Sequence, residues 1–448
     1  MIINNTKILF FGVKQRVKEF FKYDLGIISL PQALLFYFIA SSMLKLKNYR
    51  FFFDIAGILH SSNWYKSEEL SIRLGNKKVL QNALKSAEFK AAIDNYIENY
   101  DVHPSRKKFV ENPTKLFKNT LIVISEATEH SKGLLILKYS FYFILFLKLF
   151  RANKVLENYH LVLEPSWAGY LNLDIFAFTT LKHPVFVMCY EKRDELLLRT
   201  LGSNLHPVPV GPNWWCPPIQ LQHRNNEKYY DLVIVASWSE FKRHYFIFKA
   251  LKKVKESKPD LRVCLIGYEG DLSKQFILDI ANYFDLAVNL SVLENVEAEV
   301  VFRTLQRSKA SILWSRFEGN NRAIIESMAC GTPVVFREGH NFGTNYPYIN
   351  DKTALIANEK SLPKALVRIF DSYENYKPKH YVDVHHNFEV ATQVIESCIS
   401  GYDSTYQHGN AAHKVNYLWG MGYAIKESEE RFEKDYSSLM FCIRDEKK

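Results

Sequence analysis

Between Ser315 and Pro333 the 448-residue chain reads Ser-Arg-Phe-Glu-Gly-Asn-Asn-Arg-Ala-Ile-Ile-Glu-Ser-Met-Ala-Cys-Gly-Thr-Pro, and within it Glu318 and Glu326 stand eight positions apart. Two glutamates at that spacing mean little alone; their setting gives them a use. The apolar run Ala310 to Trp314 reads as a buried strand, and Glu318 and Gly319 follow it on a loop. Asn320 or Asn321 can cap the next helix by accepting from its free amides. Gly331 suits the left-handed position that ends a helix, and Pro333 stops its continuation. In open α/β sheets, ligands bind beyond the carboxyl ends of the strands. The first amides of the helix, from Asn320 to Arg322, favour an anion such as a diphosphate. Glu326, about one turn in, can reach back to the same place, where a carboxylate accepts from two ribose hydroxyls at once.

A second run, Ala236-Ser237-Trp238-Ser239-Glu240-Phe241-Lys242-Arg243, also follows a strand and opens a helix. A cation there stabilises a departing diphosphate as charge develops on it. A glycine turn, Gly267-Tyr268-Glu269-Gly270, follows the next strand.

Together these runs resemble glycosyltransferase family 4. Glu318 and Glu326 match its Glu-x7-Glu signature, in the setting Glu-Gly, then Glu-x-Met-Ala-x-Gly-x-Pro-Val-Val. Lys242 matches the lysine that contacts the donor diphosphate. The chain departs from the family where an arginine precedes that lysine, here Ser237 or Trp238, and where a glycine follows it, here Arg243. Arg243 is expected to replace the missing cation. Gly267 matches the glycine turn of the donor site, and Pro209-Val210-Gly211-Pro212-Asn213 is similar to the interdomain segment. The likeness spans Leu232 to about Asn358. It implies a GT-B fold, two Rossmann-like domains facing across a cleft, and a retaining transfer without a metal. On the acceptor side the correspondence is thinner. Lys132-Gly133 stands where the family has a flexible glycine-rich loop, and Tyr190-Glu191 where a His-Asp pair is common. Glu164 is singled out only by its place after a strand.

The elements that would position these residues alternate as an α/β chain does. Strands are expected at Leu121 to Ile124, His160 to Leu163 and Val185 to Met188, with a long apolar helix from Leu134 to Phe150. A second series runs from strand Leu232 to Ala236 through strands near Arg262, Ala287 and Ala310 to Val334, with helices between and mostly helical segments after. The prolines at 207, 209, 212, 217 and 218 mark a linker. The expected division is a helical extension (1–118), an acceptor domain (119–220), a donor domain (221–390) and C-terminal helices crossing back to the acceptor domain (391–448).

Composition narrows the class. Hydrophobic residues make up 47% and charged residues 24%, which is globular composition. The net charge of +10 is dispersed, with no basic helix carrying interleaved aromatics, so nucleic acid is not expected as a partner. The six cysteines show no Cys-x-x-Cys spacing and read as core thiols of a reducing compartment. There is no Asp-x-Asp run for a metal-bound diphosphate, no Gly-x-Gly-x-x-Gly opening either series, and no start resembling a signal peptide. Gly26 to Leu44 and Leu134 to Phe150 approach the length of a membrane span but carry polar or charged residues; buried or surface-lying helices are the other readings.

The expectation is therefore transfer of a sugar from a nucleotide diphosphate to a glycan or lipid-linked acceptor in cell-surface polysaccharide synthesis. The enzyme would be cytoplasmic, with peripheral contact to the inner membrane face. Its rivals are another GT-B enzyme, an epimerase or phosphorylase, and a catalytically silent sugar-binding scaffold.

Overall fold

The computed structural model describes residues 2–444 except 167–168, 218, 220–226, 317, 319, 340–345, 418–419 and 426–427. Pro218 and the expected boundary at 220/221 thus lie outside the described residues. The chain divides into two compact units: Leu25–Pro217 with Phe388–Lys448, and Met1–Asp24 with Pro218–Asn387.

The first unit is built on strands β1 (Leu121–Ser125), β2 (Gly133–Lys138), β3 (Tyr159–Glu164), β4 (Val185–Met188) and β5 (Leu205–Val208). Their order in the sheet is their order in the chain. β1 runs antiparallel to β2, and the remaining pairs are parallel. The first four are buried throughout, which explains the mainly apolar runs at their centres. β5 carries Pro207 and takes an edge position, where a missing N–H costs no ladder bond. The expected long helix Leu134 to Phe150 is not formed. Its first part is β2, and only Phe143–Leu149 is α-helical. A short apolar run without turn residues reads equally as strand or buried helix, and here pairing on both sides selects the strand.

Helices from Leu30 to Glu111 pack on one another and on the helices flanking this sheet, with Phe52, Phe53, Leu59 and Phe89 in one core with its strands. Asn48 and Ser86 cap two of them by accepting from Phe51 N and Phe89 N. The tail adds helix Phe388–Ser400 and a hairpin, β12 (Lys414–Tyr417) with β13 (Gly420–Tyr423), where only helix was expected. Strands of four residues with polar alternation give too weak a periodic signal to be seen in isolation.

The second unit holds a parallel six-stranded sheet. Its strands are β6 (Tyr230–Val235), β7 (Val263–Gly267), β8 (Leu290–Glu294), β9 (Ser308–Leu313), β10 (Val334–Arg337) and β11 (Ala354–Ala357), in the order β11-β10-β9-β6-β7-β8. The strand order reverses between β6 and β9, so the loops after these two strands flank a switch point of the kind that binds ligands. Residues 1–24, expected within the helical extension, belong to this unit. Helix Ile2–Glu19 buries Ile8 in its core and lays Phe11 edge-on against Tyr245 and Phe276. At Gly12 a Cβ would meet the Tyr245 ring at 2.2 Å, so only glycine allows the helix to seat this closely.

Candidate nucleotide-sugar site

The loop after β9 and the loop after β6 bring Glu318 and Lys242 into an ion pair. Glu318 is nearly buried, and its oxygens also accept from Ser315 Oγ at 2.7 Å and Asn321 Nδ2 at 2.7 Å. A carboxylate has about four acceptor directions. Among the described residues three are used, which fixes the side chain. Burial by itself would raise the Glu318 carboxyl. The ammonium of Lys242, with the Asn321 and Ser315 hydrogen bonds, outweighs that and holds it below its ordinary value. Glu318 is thus an anion at neutral pH, suited to accept from sugar hydroxyls.

Asn321 does two jobs. Its amide donates to Glu318, and its oxygen caps helix Arg322–Ala329 by accepting from Ile324 N at 3.2 Å. Loop carboxylate and helix start are thereby one rigid piece. Glu326 sits one turn along the helix, nearly buried, with Oε1 accepting from Arg322 Nη2 at 2.6 Å. Asn320 is buried beside them, while Gly319 and Phe317 lie outside the described residues. Below, Ser327 bonds to Ser311 of β9 at 2.5 Å and to Thr332 O at 3.0 Å, locking the helix to its sheet.

Gly267 ends β7 under the Ala236–Trp238 loop. A Cβ there would meet Ala236 O at 2.1 Å and Trp238 Nε1 at 2.9 Å. The glycine lets the loop leading to Lys242 lie low on the sheet, so any part it plays at the site is indirect. His244, which the sequence did not single out, does similar work. It is buried and donates from Nε2 to Ser237 O at 3.0 Å, and burial pushes it down to about 4, so the ring is neutral. A histidine next to two cations gives no local signal; only the fold shows it facing the loop backbone.

Arg243 corrects an expectation. It is fully buried and turned away from Lys242, pairing with Glu19 at 2.9 Å and with Glu359. Its backbone has φ +62°, the left-handed conformation that glycine adopts freely. The family's glycine at this position thus has a structural reason, and the arginine found here is no substitute for the missing diphosphate cation.

The acceptor-side candidates are mostly structural. Lys132 Nζ donates to Leu156 O at 2.6 Å. Gly133 begins a strand and is not part of a flexible loop; a Cβ would meet Ser125 O at 2.6 Å and Ala127 N at 2.8 Å. Glu164 is sealed under the tail hairpin, paired with Lys414 at 2.6 Å and accepting from Asn416 at 2.9 Å. Burial favours its neutral form, but Lys414 and Lys138 override that and lower its pKa. Tyr190 and Glu191 precede helix Lys192–Leu201, and Glu191 O accepts from Asp194 N at 3.1 Å. Asp194 itself completes a Ser71–His60–Asp194 string with both links at 2.8 Å. All three side chains are buried, and Asp194 also accepts from the amides of Gly169 and Tyr170, so this arrangement ties helices together. Among the described residues, no group of three or more His, Cys, Asp or Glu stands together as metal ligands do.

Residues 218–387, the same span as the large segment of the second unit, match the family described as Glycosyl transferases group 1. Among curated proteins none matches the chain. Solved structures with partial likeness include a TarM mutant of S. aureus in complex with fondaparinux, alpha-GlcNAc-glycerol and UDP. It shares 13% identity over 54% of this chain and 51% of that one, with a TM-score of 0.44. The present chain thus spans about half the length of that protein. Sucrose-phosphate synthase from Thermosynechococcus elongatus shares 16% identity over 60% of this chain and 74% of that one, with a TM-score of 0.46. WaaG, a glycosyltransferase involved in lipopolysaccharide biosynthesis, shares 11% over 53% and 76%, with a TM-score of 0.40. The motif, its placement at the switch point and the family match agree: residues 218–387 of this chain belong to the glycosyl transferases group 1 family.

Proposed function

We propose that the protein is a retaining glycosyltransferase that takes a sugar from a nucleotide diphosphate. The observation that carries this reading is the meeting of Lys242 and Glu318 at the reversal of strand order, with Glu326 one turn into the adjoining helix. Glu326 would accept from the ribose hydroxyls, exchanging its bond to Arg322. Lys242 would leave Glu318 for the diphosphate, which frees Glu318 to hold hydroxyls of the donor sugar. The acceptor oxygen would form the new bond to the anomeric carbon on the face that the phosphate leaves. The anomeric carbon–oxygen bond breaks, and the acceptor proton passes to the departing phosphate oxygen. Lys242, held near the switch point, stabilises the charge that builds there.

The test uses thermal shift and hydrolysis with uridine, guanosine, adenosine and thymidine diphosphates and their sugars. One donor should raise Tm and be slowly hydrolysed, and Glu326→Ala should lose both effects. No response to any nucleotide would sink the reading.

The acceptor is proposed to be a lipid-linked or polysaccharide chain at the inner membrane face. Support comes from the helical stretch Gly26–Lys45, which is apolar enough to cross a membrane by length and composition, and of which 22% is buried. Ile27, Ile28, Leu35 and Phe38 lie exposed on it. Flotation with anionic vesicles, lost on Ile27→Asp with Ile28→Asp, checks this part. A silent scaffold is the second reading, favoured by Arg243, which withdraws a cation from the diphosphate. Nucleotide binding without turnover on any acceptor panel would select it, and product analysis separates epimerase or phosphorylase activity.

A further inference from the structure

A second charged recess opens at the carboxyl edge of the same sheet. It has a cavity of about 470 Å³, lined by Arg16, Arg316, Arg337 and Lys360 with Asp24 and Glu359. Its cations come from three places: the N-terminal arm, the ends of β9 and β10, and the turn after β11. The carboxylates are already shared. Asp24 takes Arg316 in a two-pronged pair, one bond being 2.6 Å. Glu359 serves Arg16 and Arg243 and stands 3.6 Å from Arg337. Arg337 otherwise donates to the carbonyls of Glu338 and Gly339 at 2.6 and 3.2 Å.

Two arginine side chains in this wall, Arg316 at 7% exposure and Arg337 at 10%, are nearly buried. The Nε–H of each has no partner among the described residues. Burial first, then the neighbouring Arg243 and Arg316, push Arg337 down to about 10, so it stays charged at neutral pH but is short of negative charge. Burying a guanidinium with an unmade hydrogen bond is costly. An anion with several acceptor oxygens would remove that cost, and the flat donor fork of arginine matches a tetrahedral oxyanion on two prongs.

We propose that the Arg16–Arg316–Arg337–Lys360 recess binds a phosphate-class anion, at a site separate from the nucleotide site at Lys242 and Glu326. The arm helps to form it, because Arg16 and Asp24 reach it only when helix Ile2–Glu19 is seated on the sheet's flanking helices. The recess stands whether or not the nucleotide site turns over a donor. The phosphate group could be free or could head a lipid.

The experiment measures binding of inorganic phosphate, and of vesicles containing phosphatidic acid, to the full chain by calorimetry and flotation. Wild type should bind phosphate, and Arg337→Gln should weaken it at least tenfold while nucleoside diphosphate binding is unchanged. Glu326→Ala should do the reverse. Asp24→Asn removes a competing carboxylate and should tighten phosphate, which keeps the test open if Arg337→Gln folds poorly. Vesicle binding that free phosphate competes away identifies a lipid head; phosphate binding without vesicle binding identifies a soluble ligand. Equal phosphate binding by wild type and both recess variants overturns the proposal. So does displacement of phosphate by nucleoside diphosphate with one-to-one competition, because the two sites would then be one.

Discussion

A buried lysine–glutamate pair at the carboxyl end of a parallel strand in one unit can be set against another in the second unit. Glu164 closes β3 and pairs with Lys414; Glu318 follows β9 by five residues and pairs with Lys242. Side-chain exposures are 1% and 0% in the first pair, against 7% and 11% in the second. The first pair is covered by a hairpin some 250 residues later in the chain, with Lys414 lying 4.2 Å from the Trp215 ring and Lys138 donating to Gly420 O at 2.7 Å. The second sits where the strand order reverses, and both of its side chains keep more exposure than the first pair. Position after a strand makes a carboxylate eligible for chemistry, and what covers it decides whether chemistry follows.

The largest expected effects separate the pairs. Lys414→Ala leaves Glu164 charged and buried, which costs about 3–5 kcal/mol of stability in denaturant titration. Lys242→Ala should cost less, since Glu318 keeps Asn321 and Ser315, yet turnover should fall on the order of 10²-fold or more. A double replacement sharpens the contrast. Glu164→Leu with Lys414→Met should restore most of the stability, because an apolar pair of similar volume avoids desolvation. Glu318→Leu with Lys242→Met should fold and be inactive. If the tail pair proved catalytic and the loop pair only structural, the comparison would fail.

Next in size is the contrast between adjacent cations. Arg243→Gly relieves a left-handed backbone, about 1 kcal/mol, but strips Glu19 and Glu359 of a buried partner. A net loss of about 2 kcal/mol is expected by the opposing burial penalty, with nucleoside diphosphate affinity kept. Lys242→Ala should show the opposite pattern. Loss of nucleotide affinity in a well-folded Arg243→Gly protein would return Arg243 to the diphosphate.

The donor half was legible because its signals are local. Strand, loop carboxylate, cap, helix and terminal glycine follow one another within twenty residues, and the fold had only to bring β6 beside β9. What escaped depends on distant partners. Arg243 is turned by Glu19, more than 200 positions earlier, and Glu164 is silenced by a hairpin whose short strands carry no periodic signal. β2 reads as helix in its own sequence, and pairing with β1 and β3 makes it extended. The arm, read as part of a helical extension, shows its allegiance only through Gly12 and Ile8, two residues whose meaning lies in Tyr245 and the second core.

The effect that is smallest near neutral pH is a pH window that the two units do not share at these positions. His244 has an ordinary value of 6.5 and a folded one of about 4, set by burial. Between those values the unfolded chain binds a proton there that the folded chain refuses, so His244 lowers stability as pH falls from 6.5 towards 4, by at most roughly 1.4 kcal/mol per pH unit. Glu164 behaves differently. Its folded value lies below the ordinary 4.5, so its contribution is intact above 4.5 and is lost only as pH falls through the folded value. His244→Asn, whose amide can still donate to Ser237 O, should therefore flatten the stability profile between pH 6.5 and 4 and leave the steeper acid limb in place. Glu164→Leu with Lys414→Met should flatten that limb alone. Denaturant titrations across pH check both, and an unchanged slope above pH 4 in the His244 variant would mean that this ring is not the source of that slope.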